Sequence, residues 1–338
     1  MLAAARGEPV DRTPVWFMRQ AGRCLAGYRE LRERYDILTL TRTPELCARV
    51  TMMPVHELGV DAAVLYADIM LPLIGMGVPF TIDPGVGPIV HEPVRTRQDV
   101  ERLQIVEPES ATPDLFEAIA IVRRELDGRQ AVIGFAGGPF TVASYMIEGR
   151  PTRDFAHCKG MLYGEPALWH SLMETLTEVT IRYLRAQVAA GVQMVQLFDS
   201  WAGALSREAY VRDVMPYSAR VIDAVRAHGI PTIHFATDTA HLLSTIASLH
   251  SDVVSVDWRL PLDVAWEQLG EGQGIQGNLE PAACAAPFDV AAREARAVLH
   301  AAGGRDGHIF NLGHGVLAHT PSDNLRRLVE LVHAETAR

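Results

Sequence analysis

Gly191-Val192-Gln193-Met194-Val195-Gln196-Leu197-Phe198-Asp199-Ser200 is the stretch on which the reading of this chain turns. The run Met194–Phe198 is short and mostly apolar, as expected of a strand buried on both faces of a parallel sheet. Upstream, Leu172, Leu176, Val179 and Tyr183 recur at helical spacing, which predicts a helix over Leu168–Ala190 that Gly191 stops. Downstream, Arg207–His228 has the same character and ends at Gly229. One buried strand between two helices is the building unit of an α/β fold.

Outward from that unit the pattern repeats. Pro14–Met18, Ala62–Tyr66, Ala131–Phe135, Thr232–Phe235, Val253–Asp257, Ile275–Asn278 and Ile309–Leu312 are further strand candidates, eight with Met194–Phe198. Helix-like stretches separate them, and Ser322–Glu335 predicts a closing helix with Ser322 as its N-cap. This alternation, without an internal repeat, favours a (β/α)8 TIM-type barrel over an open doubly wound sheet. Residues 1–338 are therefore expected to form a single domain, with its site at the C-terminal mouth of the strands. The connection Leu71 to Pro113 is rich in Gly75, Gly77, Pro79, Pro84, Gly85, Gly87, Pro88 and Pro93, which predicts an excursion over that mouth.

Composition narrows the function. The chain carries a net charge of −10 over 338 residues, with 48% hydrophobic content, so a large core is feasible. The acidic balance argues against a nucleic-acid partner but not against a small anion gripped by a local arginine cluster. Cys24, Cys47, Cys158 and Cys284 form no C-x-x-C pair and have no histidine at zinc-finger spacing, so neither a disulfide framework nor a structural metal is expected. No signal peptide is visible, and no apolar run approaches the roughly 20 residues of a membrane span, so a soluble cytoplasmic chain with no membrane partner is expected. Lys159 is the single lysine and sits in a polar stretch away from the strand ends, which disfavours imine and pyridoxal chemistry.

The strand ends carry the candidate site. Arg19 and Arg23, in Met18-Arg19-Gln20-Ala21-Gly22-Arg23, can grip carboxylates bidentately, or can be ordinary surface arginines. Asp68 follows a buried strand, where a carboxylate needs partners; it reads as an acceptor for several N–H groups or as a helix N-cap. Gly137-Gly138 precedes Tyr145 without forming a dinucleotide or phosphate loop, and Tyr145 either leans into the mouth or fills the core. Ser200 lacks a G-x-S-x-G elbow, so it reads as a hydrogen-bonding hydroxyl or an N-cap, not a nucleophile. His314, between Gly313 and Gly315 at the last strand end, reads as a ligand contact. Together these make a site for a small polyanion that has hydrogen-bond donors of its own.

Several segments together resemble the uroporphyrinogen decarboxylase family. They are Pro14-Val15-Trp16-Phe17-Met18-Arg19-Gln20-Ala21-Gly22-Arg23, Asp68-Ile69, Pro139-Phe140-Thr141 with Ala143 to Gly149, Gln196 to Gly203, Gln276-Gly277-Asn278-Leu279, and Asn311-Leu312-Gly313-His314-Gly315. Cys24, Ala26-Gly27, Glu280 and Ala318 depart from the family pattern. The resemblance implies a homodimeric, cytoplasmic carboxy-lyase of porphyrin and heme biosynthesis, without metal or organic cofactor. It would convert the four acetate side chains of uroporphyrinogen III to methyls, giving coproporphyrinogen III. The implied catalytic residues are Asp68 and Arg19. The implied substrate-binding residues are Arg19, Gln20, Ala21, Gly22, Arg23, Asp68, Tyr145, Ser200 and His314. Two other readings remain: a zinc-dependent, corrinoid-linked methyltransferase of similar architecture, and a non-catalytic tetrapyrrole-binding protein. The first needs a cysteine two residues after the histidine of the fifth strand, where this chain has His234-Phe235-Ala236.

Overall fold

A computed structural model describes residues 1–83 and 85–338; Pro84, one of the prolines of the predicted excursion, lies outside them. Its centre is a curled, wholly parallel sheet of seven strands. They are β1 (Ala62–Val64), β4 (Ala131–Gly137), β5 (Met194–Phe198), β6 (Thr232–Phe235), β7 (Val253–Ser255), β8 (Gly274–Leu279) and β9 (His308–Leu312), paired in that order. Helices occupy the connections between them, as parallel pairing demands. The sheet is an α/β architecture with its strands in sequence order from β4 to β9.

The predicted first strand, Pro14–Met18, is not a ladder strand. It makes one parallel bridge, Val15 to Phe310, with Phe310 N–H donating to Pro14 O at 2.9 Å. On its other side Asp61 N–H donates to Val15 O at 2.8 Å. The ladder fails for a local reason: side chains take the backbone donors that it would use. Asp61 Oδ2 accepts from Val15 N–H at 2.7 Å, Gln20 Oε1 from Phe17 N–H at 3.0 Å, and Asn311 Oδ1 from Met18 N–H at 2.9 Å. Pro14 has no N–H to give.

The 71–113 connection contains structure that its glycines and prolines concealed. β2 (Phe80–Asp83) and β3 (Gly87–Val90) form an antiparallel hairpin, and Val90 N–H is tied to Gly149 O at 2.8 Å. Short helices follow, including Arg97–Glu101 with a Thr96–Asp99 capping box.

The helix expected over Leu168–Ala190 runs Pro166–Ala189, and buries Leu172, Leu176, Val179 and Tyr183. Its buried Gln187 accepts from Phe135 N–H at 3.0 Å and donates to Phe135 O at 2.9 Å, so helix and β4 are locked in register. The stretch read as one helix, Arg207–His228, is two, Arg207–Asp213 and Met215–Arg226, because Pro216 starts a new helix after the non-helical Val214. Ser322 is the first residue of the last helix, Ser322–Thr336, and Pro321 occupies its N-cap.

Inside the curl, one row of side chains is polar. Trp16 Nε1 donates to Gln276 Oε1 at 2.9 Å; Gln276 Nε2 donates to Gln196 Oε1 at 3.1 Å and to Ser255 Oγ at 2.9 Å. All four residues are buried, so each bond replaces water that the site excludes. This floor fixes the strands whose far ends carry the candidate residues.

Candidate active site

Arg19 begins the first loop with φ +59, a left-handed conformation that is rare for a residue with a side chain. Its surroundings hold it there. A Cβ on Gly22 would stand 2.8 Å from Arg19 O, so only glycine lets the loop fold back. Buried Gln20 braces the same turn: Nε2 donates to Ala62 O at 3.0 Å while Oε1 accepts from Phe17 N–H. The Gln20 side chain is thus wholly committed to the loop's shape. Ala21 and Gly22 are partly exposed and offer backbone only. Arg23 is exposed, its carbonyl accepts from Arg29 at 2.9 Å, and no contact joins its guanidinium to the other candidates among the described residues.

Asp68 follows β1. Its Oδ1 accepts from Met70 N–H at 2.9 Å, a bond to the residue two ahead and not a helix cap, since Leu71 caps the following helix. Burial pushes the carboxyl up from its ordinary value; the Met70 N–H and the Arg19 guanidinium pull the other way. Tyr145, on the helix Pro139–Glu148, feels the same neighbours: burial and the Asp68 charge push its hydroxyl up to about 12, against Arg19. Asp68, Arg19 and Tyr145 are therefore electrostatic neighbours, drawn from three separate βα connections.

His314 completes the group. Burial, then the Arg19 charge, then that of Arg259, depress its imidazole to about 4. A ring so held favours its neutral form near pH 7, which can both donate and accept a hydrogen bond. The flanking glycines seat it. A Cβ on Gly313 would meet Trp258 N at 2.6 Å, and one on Gly315 would meet Arg19 Cγ at 2.8 Å. Ser200 is partly exposed, and its carbonyl accepts from Thr237 Oγ1 at 2.8 Å, which joins the loops after β5 and β6.

Aromatic rings line the same mouth. Phe135–Phe198, Phe198–Phe235 and Phe235–His314 run edge to face at 5.3, 5.5 and 6.1 Å. Tyr145 lies 4.1 Å from Trp201, which in turn meets Phe155 at 5.1 Å. Sequence reasoning singled out Tyr145 and His314 but missed Phe135, Phe155, Phe198, Trp201 and Phe235, because these look like ordinary core residues. It also missed Asp257, Asp238 and Arg259, although Asp257 ends a strand-like run just as Asp68 does. Among the described residues no three His, Cys, Asp or Glu side chains converge on a possible metal site. His234 is buried with Nε2 3.8 Å from Asp199, and all four cysteines are buried, three of them with thiols pushed up to about 12 by burial and Cys24 to about 11.

Comparison with known proteins agrees over the full length. The family model described as uroporphyrinogen decarboxylase matches residues 1–335. A uroporphyrinogen decarboxylase of Sorangium cellulosum is 50% identical over 333 residues, covering 98% of this chain and 95% of that protein. One of Thermus thermophilus is 50% identical over 337 residues, covering 100% and 98%. Among solved structures, a methyltransferase from Methanosarcina mazei superposes with a TM-score of 0.84 at 22% identity, covering 99% of this chain and 97% of that one. That likeness concerns the fold alone.

Proposed function

The chain belongs to the uroporphyrinogen decarboxylase family and is a carboxy-lyase of porphyrin biosynthesis, and from that premise we propose how its mouth performs the reaction. The observation that carries the reading is Asp68: a carboxylate just past β1, with one oxygen on Met70 N–H, the Arg19 charge close by and Tyr145 within reach of its own charge. Uroporphyrinogen has four pyrrole N–H donors inside and eight carboxylates outside. Asp68 receives the N–H donors, and the aromatic walls bracket the macrocycle. Arg19 and Arg23 bind carboxylates, and Tyr145, Ser200 and neutral His314 add hydrogen bonds. Gln20, Ala21 and Gly22 contribute by shaping the arginine loop.

A pyrrole protonated at a ring carbon becomes a cation, and the electrons released as carbon dioxide leaves flow into it. The exocyclic methylene so formed takes up a proton to become the methyl, and the ring carbon then gives back its own, so each acetate consumes one proton and releases one carbon dioxide. Asp68, fixed before the charge develops, stabilises that cation without reorganising, which is the largest contribution a site of this kind makes. The substrate is its own electron sink, so the step asks for no metal or organic cofactor. Arg19 orients the carboxylate that departs.

The same premise supports a closed barrel, in which the Val15 segment serves as the eighth staff between β9 and β1, and a single domain over residues 1–338. It also supports a cytoplasmic homodimer. Anaerobic incubation of the purified protein with uroporphyrinogen III tests the function: coproporphyrinogen III should accumulate with release of carbon dioxide. Stoichiometric binding without turnover would instead mark a tetrapyrrole carrier.

A further inference from the structure

We propose that Arg259 is a further carboxylate-binding residue of the mouth, held ready by Asp238 and surrendered by it to an incoming substrate carboxylate. The inference rests on the reading of the mouth as the tetrapyrrole site. A ligand with eight carboxylates offers more anions than Arg19 and Arg23 can pair bidentately. Arg259 lies two residues past Asp257 in the loop after β7. Its charge reaches the His314 ring together with that of Arg19. The chain that carries it is in direct contact with the His314 turn, where only glycine fits against Trp258 N.

The guanidinium is held but not buried. Arg259 Nε is 2.8 Å from Asp238 Oδ1, Nη1 donates to Asp257 Oδ2 at 2.9 Å, and the group stacks over Trp258 at 4.4 Å. Its side chain remains 44% exposed. Asp257 does not depend on this pairing, since it also accepts from Arg259 N–H at 2.9 Å and Asp238 N–H at 2.7 Å. Asp238 differs: its side chain is 58% exposed and its acid group contacts only the guanidinium among the described residues.

Asp238 is also strained into place. Its φ is +57, and a Cβ on Gly203 would stand 2.6 Å from its carbonyl oxygen, so the β5 loop packs backbone to backbone against it. Strain maintained from several sides marks a position whose geometry matters. Here it aims an exposed acid at an exposed arginine on the rim of an anion site. An exposed ion pair of this kind is weak enough for a competing carboxylate to displace. The reaction leaves four of the eight carboxylates in place, so such a contact is read by product binding.

The experiment titrates coproporphyrinogen III anaerobically into wild type, Arg259→Ala, Asp238→Asn, the double variant and Arg23→Ala. Arg259→Ala should weaken product binding about 3- to 10-fold and raise KM with kcat nearly unchanged. Asp238→Asn keeps a residue that tolerates left-handed backbone and removes the competitor, so it should tighten binding several-fold. That gain should vanish in the double variant. A purely structural role for the pair would make Asp238→Asn bind more weakly or unchanged, and that result overturns the proposal even if Arg259→Ala does not fold. Unchanged affinity in Arg259→Ala beside a loss in Arg23→Ala also overturns it, while leaving the mouth as the binding site. No loss in either variant overturns both readings.

Discussion

The Arg19 side chain crosses directly over Gly315. A Cβ there would stand 2.8 Å from Arg19 Cγ and 3.1 Å from Nε, closer still to Cδ. The loop that carries the arginine and the turn that carries His314 are thereby one unit, although nearly 300 residues separate them in the chain.

Gly315→Ala should therefore displace the Arg19 stem and little else. The expected result is a fall of roughly tenfold or more in kcat/KM, because small misplacements of an orienting group are costly. Thermal stability should change far less. Wild-type kcat/KM in the alanine variant would show that the stem has room to move.

Asp68→Asn preserves shape and removes the charge. It should lower kcat by about 100-fold or more while KM shifts only a few-fold, the pattern of an interaction realised in the transition state. Steady-state kinetics under anaerobic conditions read both constants.

Gln20→Ala strips partners from Phe17 N–H and Ala62 O, two buried backbone groups. The variant should lose about 1–3 kcal/mol of stability in urea titrations, the cost of leaving such groups unpaired. KM should rise with it, since the same side chain shapes the Arg19 turn. A stability loss with unaltered KM would separate the brace from the site.

Burial depresses His308 and His314 from 6.5 to about 4. Between those values the unfolded chain binds protons that the folded chain refuses, so stability rises with pH through the window and is lost as pH falls from about 6.5 toward 4. At pH 5 the loss should be on the order of 1–2 kcal/mol for His308, and less for partly exposed His314. Urea midpoints across pH 5–7.5 should shallow in His308→Gln. An identical slope would mean that this ring protonates freely in the folded state.

Dialysis against a strong chelator should leave anaerobic turnover unchanged, because the electron sink lies within the substrate. Activity lost on chelation and restored by zinc would point to the methyltransferase-like chemistry instead.

The alternation of strands and helices was legible because strands buried on both faces leave short apolar runs, as at Met194–Phe198. Arg19, Asp68, Ser200 and His314 stood out as polar residues where such runs stop. The eighth ladder was not legible as absent: Pro14–Met18 has a strand's composition, and its fate depends on Asp61, Gln20 and Asn311, whose side chains reach its backbone from elsewhere. Gln20 itself reads as a loop residue, since its partners are backbone atoms that no side-chain pattern reveals. The antiparallel pair Phe80–Asp83 and Gly87–Val90 hid among glycines and prolines. Asp238 and Arg259 lie just past strand ends, where polar residues are commonplace, and only their mutual geometry singles them out.

The bridge from Val15 to Phe310 ties the opening of the chain to its last strand. A contact between residues so far apart in sequence carries a loop-closure cost that is met only when the strands between them have assembled. The arginine loop is thereby expected to find its place late in folding, and a refolding experiment that follows Trp16 should see it bury with the slowest phase.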